Sequence, residues 1–159
     1  MIIECFVALT LSLNLCESSV LCRNCGRELA DPFYLRTKHL SPEFLERRNK
    51  TQLFGATHPV SIERLKNPVG VEFEVVSFQK AGCKGLGEWS GEASWFPGFL
   101  WRVCVCPQCG YHIGWMFEPE DLVSEDQDKP SAAGFYAIAL SKVIDENYSR
   151  TLTISSTRH

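Results

Sequence analysis

Polar and apolar residues alternate, or short apolar runs stand between turn-forming residues, in several segments of the chain. The clearest is V-E-F-E-V-V-S-F at residues 71–78, which follows the turn sequence N-P-V-G and predicts a strand with one buried face. Similar patterns predict strands at Val20–Cys22, Phe99–Val105, 111–117 and 135–143. Glycine and proline are frequent between these segments, so the pattern favours short strands over long helices.

Only one segment has the signals of a helix start. Ser41 is placed as an N-cap, Pro42 as the first helical residue and Glu43 as an acid in the first turn. We therefore predict one short helix over 41–48, with the Arg47–Arg48 pair at its C-terminal end, where cations are favourable.

The segments between the predicted strands are interpreted as loops. Residues 81–90 contain three glycines and predict a flexible loop, but they lack the Lys-Ser/Thr ending of a phosphate-binding loop. Residues 118–130 are acidic and polar, and we expect Glu118 and Glu120 to be solvated there. The polar tail 146–159 is expected to fray.

The N-terminal segment is interpreted as a signal peptide, residues 1–18, ahead of a domain at 20–145. Its apolar run F-V-A-L-T-L-S-L-N-L has the length of a signal-peptide core, and small polar residues follow it. Cys5 and Cys16 would leave with this segment. Glu4 and the lack of Lys or Arg before the run are atypical of a signal, and the alternative is a hydrophobic first strand.

Length, charge and glycosylation motifs narrow the class of protein. The chain has 159 residues, which suits one domain. Its net charge of −3 does not indicate nucleic-acid binding, and no segment predicts a stable membrane anchor. The sequons N-K-T at 49–51 and N-Y-S at 147–149 are expected to carry glycans if the chain is secreted.

Two C-x-x-C-G motifs predict a metal site. The first is C-R-N-C-G, from Cys22 and Cys25, and the second is C-P-Q-C-G, from Cys106 and Cys109. Paired cysteines at this spacing typically bind zinc through four thiolates, and a site closed by four cysteines is structural rather than catalytic. Two disulfides or a redox pair are the alternatives. We interpret the nearby His112 as a packing or supporting residue rather than a ligand.

Two further cysteines lie in the predicted domain. In an oxidising compartment Cys83 and Cys104 are expected to form a disulfide, which would tie the glycine-rich segment to the strand before the second C-x-x-C motif.

Four aromatic residues are concentrated around that motif. Trp95 and Trp101 flank an F-P-G turn, and Trp115 and Phe117 are two apart on a predicted strand, so their side chains share one face. Such a group can wall a cavity for a quaternary ammonium or for a flat neutral ring. The alternative is that these residues pack the core.

The segments C-R-N-C-G, N-P-V-G-V-E-F-E-V-V-S-F, S-W-F-P-G-F-L-W, C-P-Q-C-G-Y-H-I-G-W-M-F and F-Y-A-I-A-L resemble, in this order, the CULT domain family, named for the thalidomide-binding domain of cereblon. The resemblance covers Cys22 to about Leu140. It implies an all-β, β-tent fold of two antiparallel sheets pinned at one end by a four-cysteine Zn²⁺ site. Within the family, the chain resembles the short, secreted, single-domain members.

The resemblance also implies a ligand site. Trp95, Trp101, Trp115 and Phe117 would form the aromatic cage, which in this family holds cyclic imides. Cyclised C-terminal ends of proteins and uridine-like rings are the natural ligands that it suggests. A family histidine that meets the imide falls on Ala93, so that side-chain donor is missing here, while the Ala93 carbonyl and Trp95 amide remain. A family asparagine aligns with Asn67, a secondary contact.

We therefore expect a secreted, non-enzymatic binding module that takes a small cyclic imide-like or cationic ligand, or a modified peptide terminus. Docking to a ubiquitin-ligase adaptor is not expected, because nothing in this sequence corresponds to the regions that serve it. One alternative is an enzyme similar to methionine sulfoxide reductases of the B type, which share paired zinc motifs. Cys104 lies in R-V-C-V, without the aromatic residue and asparagine that such an enzyme needs. The other alternative is a structural or protein-interaction domain without a small ligand.

Overall fold

A computed structural model describes residues 18–38, 42–43 and 45–156. Apart from Ser18, the predicted signal peptide lies outside these residues. The strands of the described chain are β1 Val20–Cys22, β2 Glu28–Ala30, β3 Leu45–Thr51, β4 Val60–Lys66, β5 Glu72–Phe78, β6 Lys84–Ser90, β7 Phe99–Val105, β8 His112–Pro119, β9 Phe135–Ala139 and β10 Val143–Asp145. Short 3₁₀ turns occupy Pro32–Tyr34, Glu120–Leu122 and Leu140–Lys142, and an α-helix, α1, spans Glu146–Ser156.

The strands form two antiparallel sheets. The small sheet has the order β10-β1-β2, and the large sheet has the order β3-β4-β5-β9-β8-β7-β6. This arrangement confirms the predicted all-β fold of two antiparallel sheets. The strands predicted at Val20–Cys22 and Phe99–Val105 are present with those bounds.

The described residues form a core of two parts, one on each face of the large sheet. One part packs Tyr136 and Ile138 of β9 against the small sheet's Val20 and Val143. The other part lies on the opposite face and includes Phe135. Because β9 is central and covered on both faces, all five of its residues are buried, and its F-Y-A-I-A sequence is a continuous apolar run rather than an alternating one.

The predicted helix at 41–48 is wrong over its second half. Leu45 to Thr51 form β3, and Ser41 and Phe44 lie outside the described residues. The long-range pairing of β3 with β4 prevails over the local helix signal. Arg48 is part of this pairing, since its Nε and an Nη donate to the buried Glu63 carboxylate at 2.9 and 2.6 Å.

Three other local predictions are also corrected. Residues 84–90 of the predicted glycine loop form strand β6, which pairs with β7. The predicted fraying tail begins as helix α1, and the Asp145 carboxylate accepts a hydrogen bond from the Asn147 backbone N–H at 2.8 Å. Glu118 is fully buried rather than solvated, and its Oε2 accepts from the Ser131 N–H at 2.6 Å.

Within the described ranges, no helix combines the length and the hydropathy that crossing a bilayer requires.

Candidate functional site

The four cysteines of the two C-x-x-C motifs come together at one point. Their sulfur atoms all lie within 4.8 Å of one another. Cys22 Sγ is 3.7 Å from Cys109 Sγ, and Cys25 Sγ is 3.6 Å from Cys106 Sγ. A tetrahedral thiolate site with metal–sulfur bonds of about 2.3 Å would hold its sulfurs about 3.8 Å apart. The donor set and its spacing therefore fit a metal ion, as predicted.

Each of the two motifs forms a turn of the same type. The Gly26 N–H donates to the Cys22 carbonyl and the Gly110 N–H donates to the Cys106 carbonyl, both at 2.9 Å. Both glycines have positive φ, 75° and 73°, a conformation that costs residues with a Cβ. The glycine after each motif is thus required by the turn that points two sulfurs at one ion.

The surroundings of the sulfurs favour the thiolate form of Cys109 but not that of Cys22. Hydrogen bonding from the Asn24 side chain, followed by that from the Tyr111 backbone, lowers the pKa of Cys109 to about 6. Burial raises the pKa of Cys22. Four thiolates this close repel one another, so a bound cation is needed for all of them to ionise together. All four are free cysteines, which argues against the disulfide alternative.

Cys83 and Cys104 form a disulfide, which confirms the predicted pairing. Their Cα atoms are 5.6 Å apart, and both side chains are buried. The bond joins the start of β6 to β7, whose next residues lead into Cys106.

A cavity of about 310 Å³ lies beside the core part that includes Phe135, on the face of the large sheet opposite the small sheet. The six residues predicted for the ligand site all line it, together with three that the prediction missed. The lining residues are Asn67, Pro68, Phe73, Glu92, Ala93, Trp95, Trp101, Trp115 and Phe117. We call this the aromatic cavity.

Hydrogen bonds fix two of its indoles. Trp95 Nε1–H donates to the Lys66 carbonyl at 2.9 Å, and Trp101 Nε1–H donates to the Glu92 carbonyl at 2.8 Å. Among the residues that the structure describes, the Trp115 indole has no such anchor, but its ring meets Trp95 edge to face, with centroids 4.7 Å apart. The rings are therefore held in place by backbone contacts and by one another.

The aromatic lining residue that the prediction missed is Phe73, the second residue of β5. Its ring is 4.9 Å from Trp115 and 5.8 Å from Trp95, centroid to centroid. The alternating pattern of 71–78 places Phe73 on the same face as Val75, and that signal could have assigned it to the buried side. It could not have shown that Trp95 and Trp115 come from distant segments to meet it.

The other two residues predicted for the ligand site, Ala93 and Asn67, lie in loops beside the aromatic rings. Ala93 has a φ of 51°, which is unusual for a residue with a Cβ. Asn67 Oδ1 accepts a hydrogen bond from the Val71 N–H at 2.8 Å, so this side chain closes the N-P-V-G turn at the cavity edge.

His112 packs against Trp115 of the cavity wall, in line with the packing role predicted for it. Its ring is 4.9 Å from Trp115, and its Nε2 lies 3.0 Å from the Gly114 carbonyl. Burial lowers the pKa of His112, which favours the neutral imidazole.

Sequence comparison relates this chain to cereblon. No family model matches the chain. A 69-residue segment, 43% of this chain, is 38% identical to protein cereblon of Xenopus tropicalis and covers 15% of it. A longer segment of 99 residues, 62% of this chain, is 30% identical to protein cereblon of Danio rerio and covers 22% of it.

The chain thus spans less than a quarter of the relatives that it matches. Together with the cysteine cluster, these similarities support a cereblon-like, CULT-type domain with a metal site.

Proposed function

We propose that this protein is a secreted, zinc-containing binding module whose aromatic cavity holds a small cyclic imide-like or cationic ligand. The observation that carries the proposal is the aromatic cavity itself. Five aromatic residues, contributed by distant parts of the chain, surround a space that their own side chains leave unfilled. A purely structural domain would gain more stability by packing that space closed.

Zinc is the metal that the site fits best. Zn²⁺ prefers four thiolates in tetrahedral geometry, and bound there it would link the two sheets without taking part in a reaction. Elemental analysis of the purified protein tests this assignment. We expect one zinc per chain, and less than half of that in Cys106→Ser; full zinc content in the variant would contradict the site.

An imide would be held between indole faces, with its polar edge on the backbone of Ala93 and Trp95. A cation would be held by the same faces through cation–π attraction. A modified peptide terminus could supply either group.

Tryptophan fluorescence tests binding. Succinimide, glutarimide and tetramethylammonium are titrated in turn into the parent and into Trp101→Ala. We expect at least one saturable response in the parent and none in the variant. Trp89→Phe is the matched control, since Trp89 donates to the Gln127 carbonyl outside the cavity and its loss leaves the response in place. An equal response in Trp101→Ala would contradict the cavity as the site.

Secretion is supported by the disulfide between Cys83 and Cys104, because such bonds persist in oxidising compartments. The sequon residues Asn49 and Asn147 are both exposed. Expression of the tagged chain in animal cells tests the proposal. We expect the protein in the medium, without residues 1–18 and with a mass that falls on glycosidase treatment; retention of full-length chain inside the cell would contradict it.

Binding is favoured over catalysis. The sulfoxide-reductase alternative needs a reactive thiol, and Cys104 is buried and bonded to Cys83. A sulfoxide-reduction assay that gives no turnover is the expected result.

A further inference from the structure

The lining residues of the aromatic cavity restrict the class of ligand more than its shape does. We propose, building on the binding function above, that its preferred ligand is a methylated ammonium cation rather than a neutral cyclic imide. The inference depends on three features of the lining residues: their ring faces, their hydrogen-bond donors and their charge.

Aromatic rings form most of the wall. Phe73 adds a fifth ring to the four that the sequence predicts, and it contacts both Trp95 and Trp115. Ring faces carry negative potential and attract cations, and indole does so most strongly. Methyl groups on the ammonium also bury apolar area against the rings and weaken the hydration of the charge.

Few donors in the lining remain for an imide edge, chiefly the Asn67 side-chain amide and the Trp95 backbone N–H. The indole N–H groups of Trp95 and Trp101 are already used by the carbonyls of Lys66 and Glu92. Ala93 offers no polar side-chain atom. An imide displays two carbonyl acceptors, which lose their water on entry and must be satisfied by donors. A methylated ammonium displays no acceptor and has no such requirement.

The charge of the lining is negative. Glu92 is the one charged residue among the nine that line the cavity. Within 18–38, 42–43 and 45–156, its carboxylate takes part in no ion pair. The ammonium of the neighbouring Lys66 pairs instead with Glu46 and Glu72, at 3.4 and 3.9 Å. A carboxylate at the edge of an aromatic cavity adds Coulomb attraction for a cation.

Choline and its neutral carbon isostere 3,3-dimethyl-1-butanol provide the test, since they differ in charge and hardly in shape. Calorimetric titration of the zinc-loaded parent is expected to show choline binding about tenfold tighter than the isostere. Glu92→Gln should weaken choline several-fold and leave the isostere unchanged. Glu88→Gln, an exposed acid on β6, is the matched control and should change neither.

Succinimide in the same series separates the two proposals. Tighter binding of succinimide than of choline, or equal binding of choline and the isostere, overturns the cation preference and leaves the binding function standing. If none of the three binds, both proposals fail. Addition of salt should weaken choline binding but not succinimide binding, because only the former includes a charge interaction.

Discussion

Ala93 is the residue at which ligand preference is most open to change. Its φ of 51° lies in the left-handed region, which histidine tolerates better than most residues. Ala93→His should therefore fold, and its imidazole N–H would supply a donor that an imide lacks in the parent. One added neutral hydrogen bond of about 1 kcal/mol predicts roughly fivefold tighter succinimide binding.

The control for this change is Ala93→Gly. Glycine relaxes the same backbone without adding a donor. We expect it to leave succinimide affinity unaltered in calorimetric titration. A gain of the same size in both variants would show that backbone strain, and not the imidazole, limits binding.

His112 predicts a pH dependence of stability. Burial lowers its pKa in the folded protein, so the unfolded chain binds a proton more readily as the pH falls. The stabilising contribution is full above the ordinary pKa of about 6.5 and is lost progressively below it. Urea unfolding of zinc-loaded protein, repeated from about pH 8 to pH 5.5, should show the unfolding free energy falling with pH. The fall should be smaller in His112→Gln. An equal fall of the unfolding free energy in the parent and in His112→Gln would assign it to other groups, such as the cysteine ligands.

Among the strands, the pairing of β8 with β9 depends on a glycine. A Cβ added at Gly114 would lie 2.1 Å from the Ala137 carbonyl oxygen, far inside contact distance. Gly114→Ala must push the two central strands apart, so we expect a loss of roughly 2–4 kcal/mol in unfolding free energy.

Gly82→Ala is the matched control, since the Cβ there would meet the Leu29 carbonyl oxygen at an ordinary 3.5 Å. It should cost less than about 1 kcal/mol in the same urea titration. Similar losses in both variants would argue against the close approach of β8 and β9.

How well each strand could be predicted depends on what covers it. Strands such as β7, with apolar residues between turn signals, were predicted with their bounds. Strand β4 was missed because its buried positions include Ser61 and Glu63, and such residues suggest a loop when their partners are unknown. Glu63 is paired with Arg48 of β3, which the local sequence favoured as helix. Both errors come from a pairing between strands that no local pattern encodes.

The candidate site was also predictable only where local sequence determines the structure. Spacing and residue type correctly predicted the clustering of the four cysteines, because each C-x-x-C-G motif forms the same type of turn whatever surrounds it. Phe73 and Glu92 were missed, because only the folded sheet brings them to Trp95 and Trp101.

In the whole molecule, the metal site joins the two sheets. Cys22 ends β1 of the small sheet, and Cys106 follows β7 of the large sheet. Without a bound ion, the four close thiols would no longer tie the Cys22 motif to the Cys106 motif. A strong chelator should lower the unfolding temperature substantially, and zinc should restore it. An unchanged unfolding temperature would show that packing alone holds the sheets together.

The disulfide is a second, separable link. Cys83 and Cys104 are 21 residues apart, and closing a loop of that size is worth about 3 kcal/mol in the chain-entropy account. The double variant Cys83→Ala/Cys104→Ala should lose that amount in urea unfolding while retaining its zinc. Loss of the metal as well would mean that the two links act as one unit.

The pairing of β1 with β10 has a consequence for engineering. Val20 lies opposite Asp145 in the small sheet, so the first and last strands of the folded unit are neighbours. Trimmed to 20–145, ahead of helix α1, the unit would have adjacent ends. It could then be spliced into an exposed turn of a host protein, or permuted by joining those ends and opening a turn elsewhere. The N-P-V-G turn would be a poor opening, because Asn67 and Pro68 line the cavity. The exposed segment around Asp126 is a better one, and it would leave both metal-binding motifs and the aromatic residues intact.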